Sequence, residues 1–279
     1  MVAGPTLTSY LTEDPMPRVE VFFSTFTVGT ATVTVYRIAD GWEKEMRGAV
    51  NAATAGTLTR IDFEVPFNMS VSYRAQMFDA SGNSLGYTDA SSITVASSVT
   101  WLHNPLYPAG GVKVSLAATT ARSISRPVPG VISRPRGRSV GVVLAEPRQG
   151  VTGLQFDVRV STLADADKVQ ALLGDYTTDL TPVICIRLGG TDSNVRLRQP
   201  LFLGVLDIAE SDMDSTVFGG TETLHSMVGD ESAPPAPGLF IPLLTAADIN
   251  AYYATGAAAN ADNLTGAALN RRYDLAGYA

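Results

Sequence analysis

The chain has little of what most enzyme chemistry needs. Among its 279 residues there is one cysteine, Cys185, and there are two histidines, His103 and His225. A lone cysteine cannot form an intrachain disulfide, and in the apolar run Val183-Ile184-Cys185-Ile186 it reads as a buried strand thiol. His225 lies in an acidic stretch with no second histidine at metal-ligand spacing, and His103 belongs to a proline-flanked connector; both read as structural. There is no G-x-S-x-G elbow, no H-E-x-x-H, no Walker loop and no G-x-G-x-x-G. Lysine is scarce as well: Lys44, Lys113 and Lys168 stand against 17 arginines. No apolar run approaches the ~20 residues that span a bilayer. The N-terminus carries no basic region followed by an apolar core, so the expectation is a chain made and folded in a cytoplasm, without membrane insertion.

Two acidic patterns come close to a site and stop short. Glu210-x-Asp212-x-Asp214 begins like a calcium loop, but its sixth position is Ser215 and its twelfth is Thr221. It reads as a solvated acidic loop. Glu43 and Glu45 alternate with Lys44 on an exposed strand, where nothing separates their acidities for acid–base work. The expectation is no enzyme, no cofactor and no metal.

What is present is apolar substance and uneven charge. Apolar residues make up 45%, and at this length two cores fit better than one. Net charge is −7, against a general nucleic-acid or membrane-surface binder. Residues up to 97 carry six basic and ten acidic groups, 112–160 eight and two, and 161–279 six and fifteen. A domain with one basic and one acidic portion suits head-to-tail contact with copies of itself. Five of the arginines, Arg122, Arg126, Arg134, Arg136 and Arg138, fall in the proline-rich stretch 121–138, which reads as a long extended loop. No aromatic residue occurs between Tyr107 and Phe156 to stack bases, so these arginines read as subunit contacts rather than a nucleic-acid site.

The hydropathy pattern is that of strands. Residues 1–17 read as an arm without a core. From 18 to 97, Val19/Val21/Phe23, Ala31/Val33/Val35, Ile61/Phe63/Val65 and Val71/Tyr73/Ala75/Met77 alternate with polar neighbours, giving a small β-sandwich. Residues 98–108 contain Trp101, Leu102, Pro105 and Pro108; the prolines fix an extended backbone, and the segment reads as a stiff linker. From 109 to 279, strands are expected at 112–117, 138–145, 151–160, 183–188, 201–209 and 239–243, with 210–238 as a second long loop. One helix interrupts them. Thr162 caps it, Leu163, Ala166, Val169 and Leu172/Leu173 form its apolar stripe, and Gly174 ends it. Two short helices close the chain, one capped by Thr245 and one from about 261 to 272.

The run Tyr73-Arg74-Ala75…Asp79-Ala80-Ser81-Gly82 resembles the penultimate strand and hairpin of fibronectin type III domains. Trp101-Leu102-His103-Asn104-Pro105-Leu106-Tyr107-Pro108 resembles the Trp-Leu-x-Asp-Pro-Leu-x-Pro junction of minor tail proteins from siphophages of actinobacteria. There, such a domain hands over to a barrel of the tail-tube and distal-tail type. Arg134-Pro135-Arg136-Gly137-Arg138-Ser139-Val140 stands where those proteins enter a central barrel strand. The resemblance implies a mainly β chain: a fibronectin-III-like sandwich, then a tail-tube-like split β-barrel with one packed helix and a helical C-terminal extension. It also implies a structural part of the virion tail tip, assembled in the host cytoplasm. Its partners would be copies of itself in a ring, hexameric or trimeric, other phage tail proteins, and the host envelope. The competing expectation is a receptor- or carbohydrate-binding module, with Tyr36 and Trp42 as its aromatic candidates.

Overall fold

Alternating apolar residues fold the first hundred positions largely into strands, the longest of which buries one face. A computed structural model describes residues 2–13, 15–174, 178, 180–213, 220–236, 246–263, 269, 272 and 275. Nine strands come first: β1 (Thr6–Tyr10), β2 (Arg18–Phe23), β3 (Thr32–Ala39), β4 (Trp42–Glu45), β5 (Ala52–Ala53), β6 (Leu58–Asp62), β7 (Ser70–Phe78), β8 (Ser84–Tyr87) and β9 (Ser91–Thr94). One sheet runs β1-β2-β6 and the other β4-β3-β7-β8, with β5 on β3 and β9 on β7. Val21 of β2, Val35 of β3 and Ala75 of β7 belong to one buried cluster between the sheets, as in a fibronectin-III-like sandwich. The segment 1–17 is not a coreless arm. β1 is laddered to β2 from Thr6↔Phe22 to Tyr10↔Arg18, and Met16 is fully buried. The third expected strand also shifts: β6 ends at Asp62, and Phe63 and Val65 are buried beyond it.

Eight more strands follow: β10 (Thr100–Asn104), β11 (Tyr107–Leu116), β12 (Gly130–Ser133), β13 (Val142–Ala145), β14 (Leu154–Val160), β15 (Val183–Arg187), β16 (Leu201–Asp212) and β17 (Thr223–Glu231). Six of them close a barrel in the order β10-β11-β14-β17-β16-β15, so the barrel is closed rather than split. Its interior is packed by Leu102, Val114, Phe156, Ile186, Leu203 and Met227, among others. The strand that completes it, β17, lies in the stretch expected to be a loop. Thr223, His225, Met227 and Gly229 alternate inward there, and β17 pairs with both β14 and β16. The strand expected at 239–243 lies outside the described residues.

Helix α1 (Leu163–Gln170) begins where Thr162 Oγ1 accepts a hydrogen bond from the Asp165 amide at 3.1 Å, and a 3-10 turn over Ala171–Leu173 extends it to Gly174. Ala166, Val169 and Leu172 join the barrel core. Leu163 does not: it is exposed. Gln170 is half-buried, and its amide donates to the Ile208 carbonyl and to Glu210. Two short helices follow, α2 (Ala246–Tyr252) and α3 (Gly256–Asp262). The Thr245 cap lies outside the described residues. α3 begins where Thr255 Oγ1 accepts a hydrogen bond from the Ala258 amide, and most of the helix expected from about 261 to 272 lies outside the described residues. Among the described residues no helix is long and apolar enough to cross a membrane.

Candidate functional site

The supposed linker is a hairpin of the barrel wall. β10 and β11 pair from Thr100↔Val114 to Asn104↔Tyr107, and Pro105 and Leu106 make the turn. Proline is tolerated there because a turn residue owes no ladder hydrogen bond. Asn104 fixes the corner: its Oδ1 accepts from the Leu106 amide, and its Nδ2 donates to the carbonyls of Leu172 and Thr181, both at 2.9 Å. Alternation then divides the work. Leu102 points into the barrel core, whereas Trp101 joins the core of the sandwich. Pro105 and Pro108 are buried and line a small gap shared with Arg47, Phe63 and Glu64 of the sandwich. The stiffness expected of this segment therefore comes from burial on both faces of a strand, not from a proline-locked connector.

β15 extends the same outer face. Cys185 pairs with His103 and Arg187 with Trp101, so these four side chains form one patch of barrel wall facing the sandwich. All are buried, which explains why Val183–Arg187 reads as an unbroken run instead of alternating. Arg187 is held by acceptors from the sandwich: its Nη1 donates to the Pro17 carbonyl at 2.8 Å and the Val65 carbonyl at 3.4 Å. Its guanidinium stacks 4.4 Å from the Phe67 ring centroid. Burial lowers its pKa to about 10, so it remains a cation near neutrality. Burial, and then the cations Arg187, Arg47 and Arg37, hold His103 well below the ordinary imidazole value. Burial likewise raises the Cys185 thiol far above the ordinary value, leaving it protonated and inert.

The sandwich answers with a buried charge network. Arg37 Nη1 lies 2.7 Å from Asp62, Tyr73 donates to Asp62 at 2.7 Å, and Arg47 Nε donates to Glu64 at 2.6 Å. Arg47 then reaches across to the carbonyls of Pro235 and Ala236 at 2.8 and 3.0 Å, fastening the proline-rich segment after β17. These contacts weld sandwich and barrel together. No linker signal could have announced them, since a buried arginine and a surface arginine look alike in sequence.

The five loop arginines occupy a different setting. Residues 125–152 form a β-ribbon rather than an irregular loop. A Ser125↔Thr152 bridge and the Gln149 N to Pro127 O and Glu146 N to Pro129 O bonds lead outward to the ladder of β12 with β13. From 125 to 133 this runs ~30 Å at ~3.3 Å per residue. Arg122 and Arg126 sit at its root; Arg122 Nε donates to the Ala118 carbonyl and Arg126 Nη2 to the Arg196 carbonyl. Arg134, Arg136 and Arg138 occupy its tip and make no ion pair among the described residues. The tip turns at Pro135–Arg138, where Gly137 takes φ +90 and the Arg138 amide donates to the Pro135 carbonyl. The tip heptad therefore does not enter a barrel strand; three of the five arginines ride the tip of a projecting arm and two stand at its root. The arm is apolar on both faces: Val131 beside Leu144 on one, Ile132 beside Val143 on the other, each 57–66% exposed.

The remaining candidates resolve by register. Tyr36 pairs with Glu45 and Ala39 with Trp42, which puts Tyr36 and Trp42 on opposite faces of β3–β4. Both nevertheless line one cleft of about 480 Å³ between sandwich and barrel, where the Arg198 guanidinium covers the Trp42 ring at 4.0 Å. His225 is not in a loop: on β17 its Nε2 lies 2.9 Å from Thr223 Oγ1, and it is fully buried. Glu210 and Asp212 belong to strand β16, while Asp214 and Ser215 lie outside the described residues. Glu43 is paired to Arg74 at 2.9 and 3.0 Å. No family model matches the chain, and neither a curated protein nor a solved structure matches it.

Proposed function

We propose that this chain is a structural, non-enzymatic component of a phage tail tip. Copies of the barrel would assemble into a ring or cap on the tail tube, and the sandwich would be carried rigidly outside it towards other tail proteins and the host envelope. The observation that carries the assembly part is the arm. An isolated two-stranded ribbon is at best marginally stable in water, and this one exposes apolar side chains on both faces. Such a surface is expected where another chain covers it. The resemblance of the 101–108 segment and of the sandwich strands supplies the tail setting. The test has two parts. Sedimentation and negative-stain microscopy of the purified chain should show closed rings of uniform copy number, and gold-labelled antibody should mark the tail end of assembled particles. A chain that remains monomeric at every concentration, or label spread along the whole tail, contradicts the proposal.

A further inference from the structure

The arm's chemistry has a counterpart elsewhere on the same chain. β16 carries a bulge: Val205 pairs with Gly229 and Ile208 with Met227, so Leu206 and Asp207 together oppose Val228. Leu206 is 87% exposed and Val228 62%, side by side on the outer barrel wall. Beside them stand the exposed acidic side chains Asp207 on β16 and Asp230 on β17. The wall thus presents an apolar centre with an acidic rim. The arm presents apolar faces with a basic tip, six arginines against one glutamate over residues 121–150. Apolar surface meets apolar surface, and the rims are opposite in sign.

We infer that the arm of one copy docks on the β16–β17 wall of the next. This rests on the assembly reading above and names the surfaces that would make it. Donor and acceptor are different patches of one chain, so the contact is head-to-tail and repeats until a ring closes. The arm's second apolar face then lies against a further part of the assembly, which accounts for a ribbon that is apolar on both sides.

Cysteine trapping tests this cleanly, because the native Cys185 is fully buried and does not compete. Ile132→Cys or Val131→Cys is mixed with Leu206→Cys and mildly oxidised. One of the two arm variants is expected to give a cross-linked heterodimer as the main product, whereas each variant alone gives none. Self-linked arms overturn the inference, since they mean arm-to-arm pairing. Oligomers that form without any Leu206 link also overturn it, yet leave the assembly reading standing; a chain that never associates overturns both. Charge exchange gives a second readout. A chain with Arg134, Arg136 and Arg138 changed to Glu should not assemble alone, nor should one with Asp207→Lys and Asp230→Lys, while their mixture should assemble. Failure of the mixture to recover assembly rejects the pairing of these two surfaces.

Discussion

β10–β11 and β12–β13 are successive antiparallel hairpins in one chain, built from similar apolar residues, and their surroundings are opposite. The first has Leu102 in the barrel core and Trp101 in the sandwich core; the second has Val131, Ile132, Val143 and Leu144 in solvent. Pairing is alike in both, so strand formation alone does not say what a hairpin is for. The difference lies in which faces are covered. Covering both faces turns β10 into the weld that sets the angle between the two units. Covering neither leaves β12–β13 as the surface on which the proposed assembly rests.

Substitutions in the two hairpins should separate fold from assembly. Trp101→Ala should have the largest effect, ~3–5 kcal/mol of stability as for other buried large aromatics, while Ile132→Ala stays within ~0.5 kcal/mol. Denaturant titration of both variants checks this, and equal losses would erase the contrast. Leu172→Ala, which empties a site between helix and barrel, should lose ~2–5 kcal/mol. Its control is Lys168→Ala on the exposed helix face, within ~0.5 kcal/mol; thermal unfolding of the pair reads the difference.

The weld should also sense pH. His103 is held below its ordinary value of 6.5 in the fold, so between that value and its folded pKa the unfolded chain binds a proton that the folded chain refuses. Its contribution is therefore present above about pH 6.5 and is lost as pH falls, by at most ~1.4 kcal/mol per pH unit. His225, lowered by burial with Glu210 opposing, adds in the same direction. His103→Gln should flatten the stability curve between pH 6.5 and about 5.5, above the range where carboxylates titrate. An unchanged slope would place the proton elsewhere. The smallest effect on stability belongs to the arm tip: Arg134, Arg136 and Arg138 changed together to Ser should leave unfolding within ~0.5 kcal/mol of the parent. The same change should weaken association and blunt its dependence on salt, because exposed charges are screened as the Debye length shrinks from ~10 Å at 0.1 M to ~3 Å at 1 M. Sedimentation across that range checks it.

How much of this was legible in sequence follows the same division. Strands that bury one face announced themselves: Leu154, Phe156, Val158 and Val160 alternate and fold as β14, and Val71 to Met77 fold as β7. Thr162 announced the helix start. β17 did not, because Ser226, Gly229 and Asp230 dilute its pattern with residues typical of loops, and only its two neighbours reveal it. The Trp101 segment reads as a stiff linker, since prolines at 105 and 108 signal extension without saying what covers it. The five arginines stand close together in sequence and, in the structure, at the root and tip of one ribbon. That they ride a ribbon depended on Val131/Leu144 and Ile132/Val143 pairing across a tip that local pattern could not register.

Hydrogen exchange measured before and after assembly tests the central contrast most directly. Amides of Thr100–Asn104 should be protected in both states, because burial on both faces belongs to the fold. Amides of Gly130–Ser133 and Val142–Ala145 should exchange rapidly in the monomer and become protected once copies associate. An arm that exchanges at the same rate in both states, or a β10 that becomes protected only on assembly, would contradict the account.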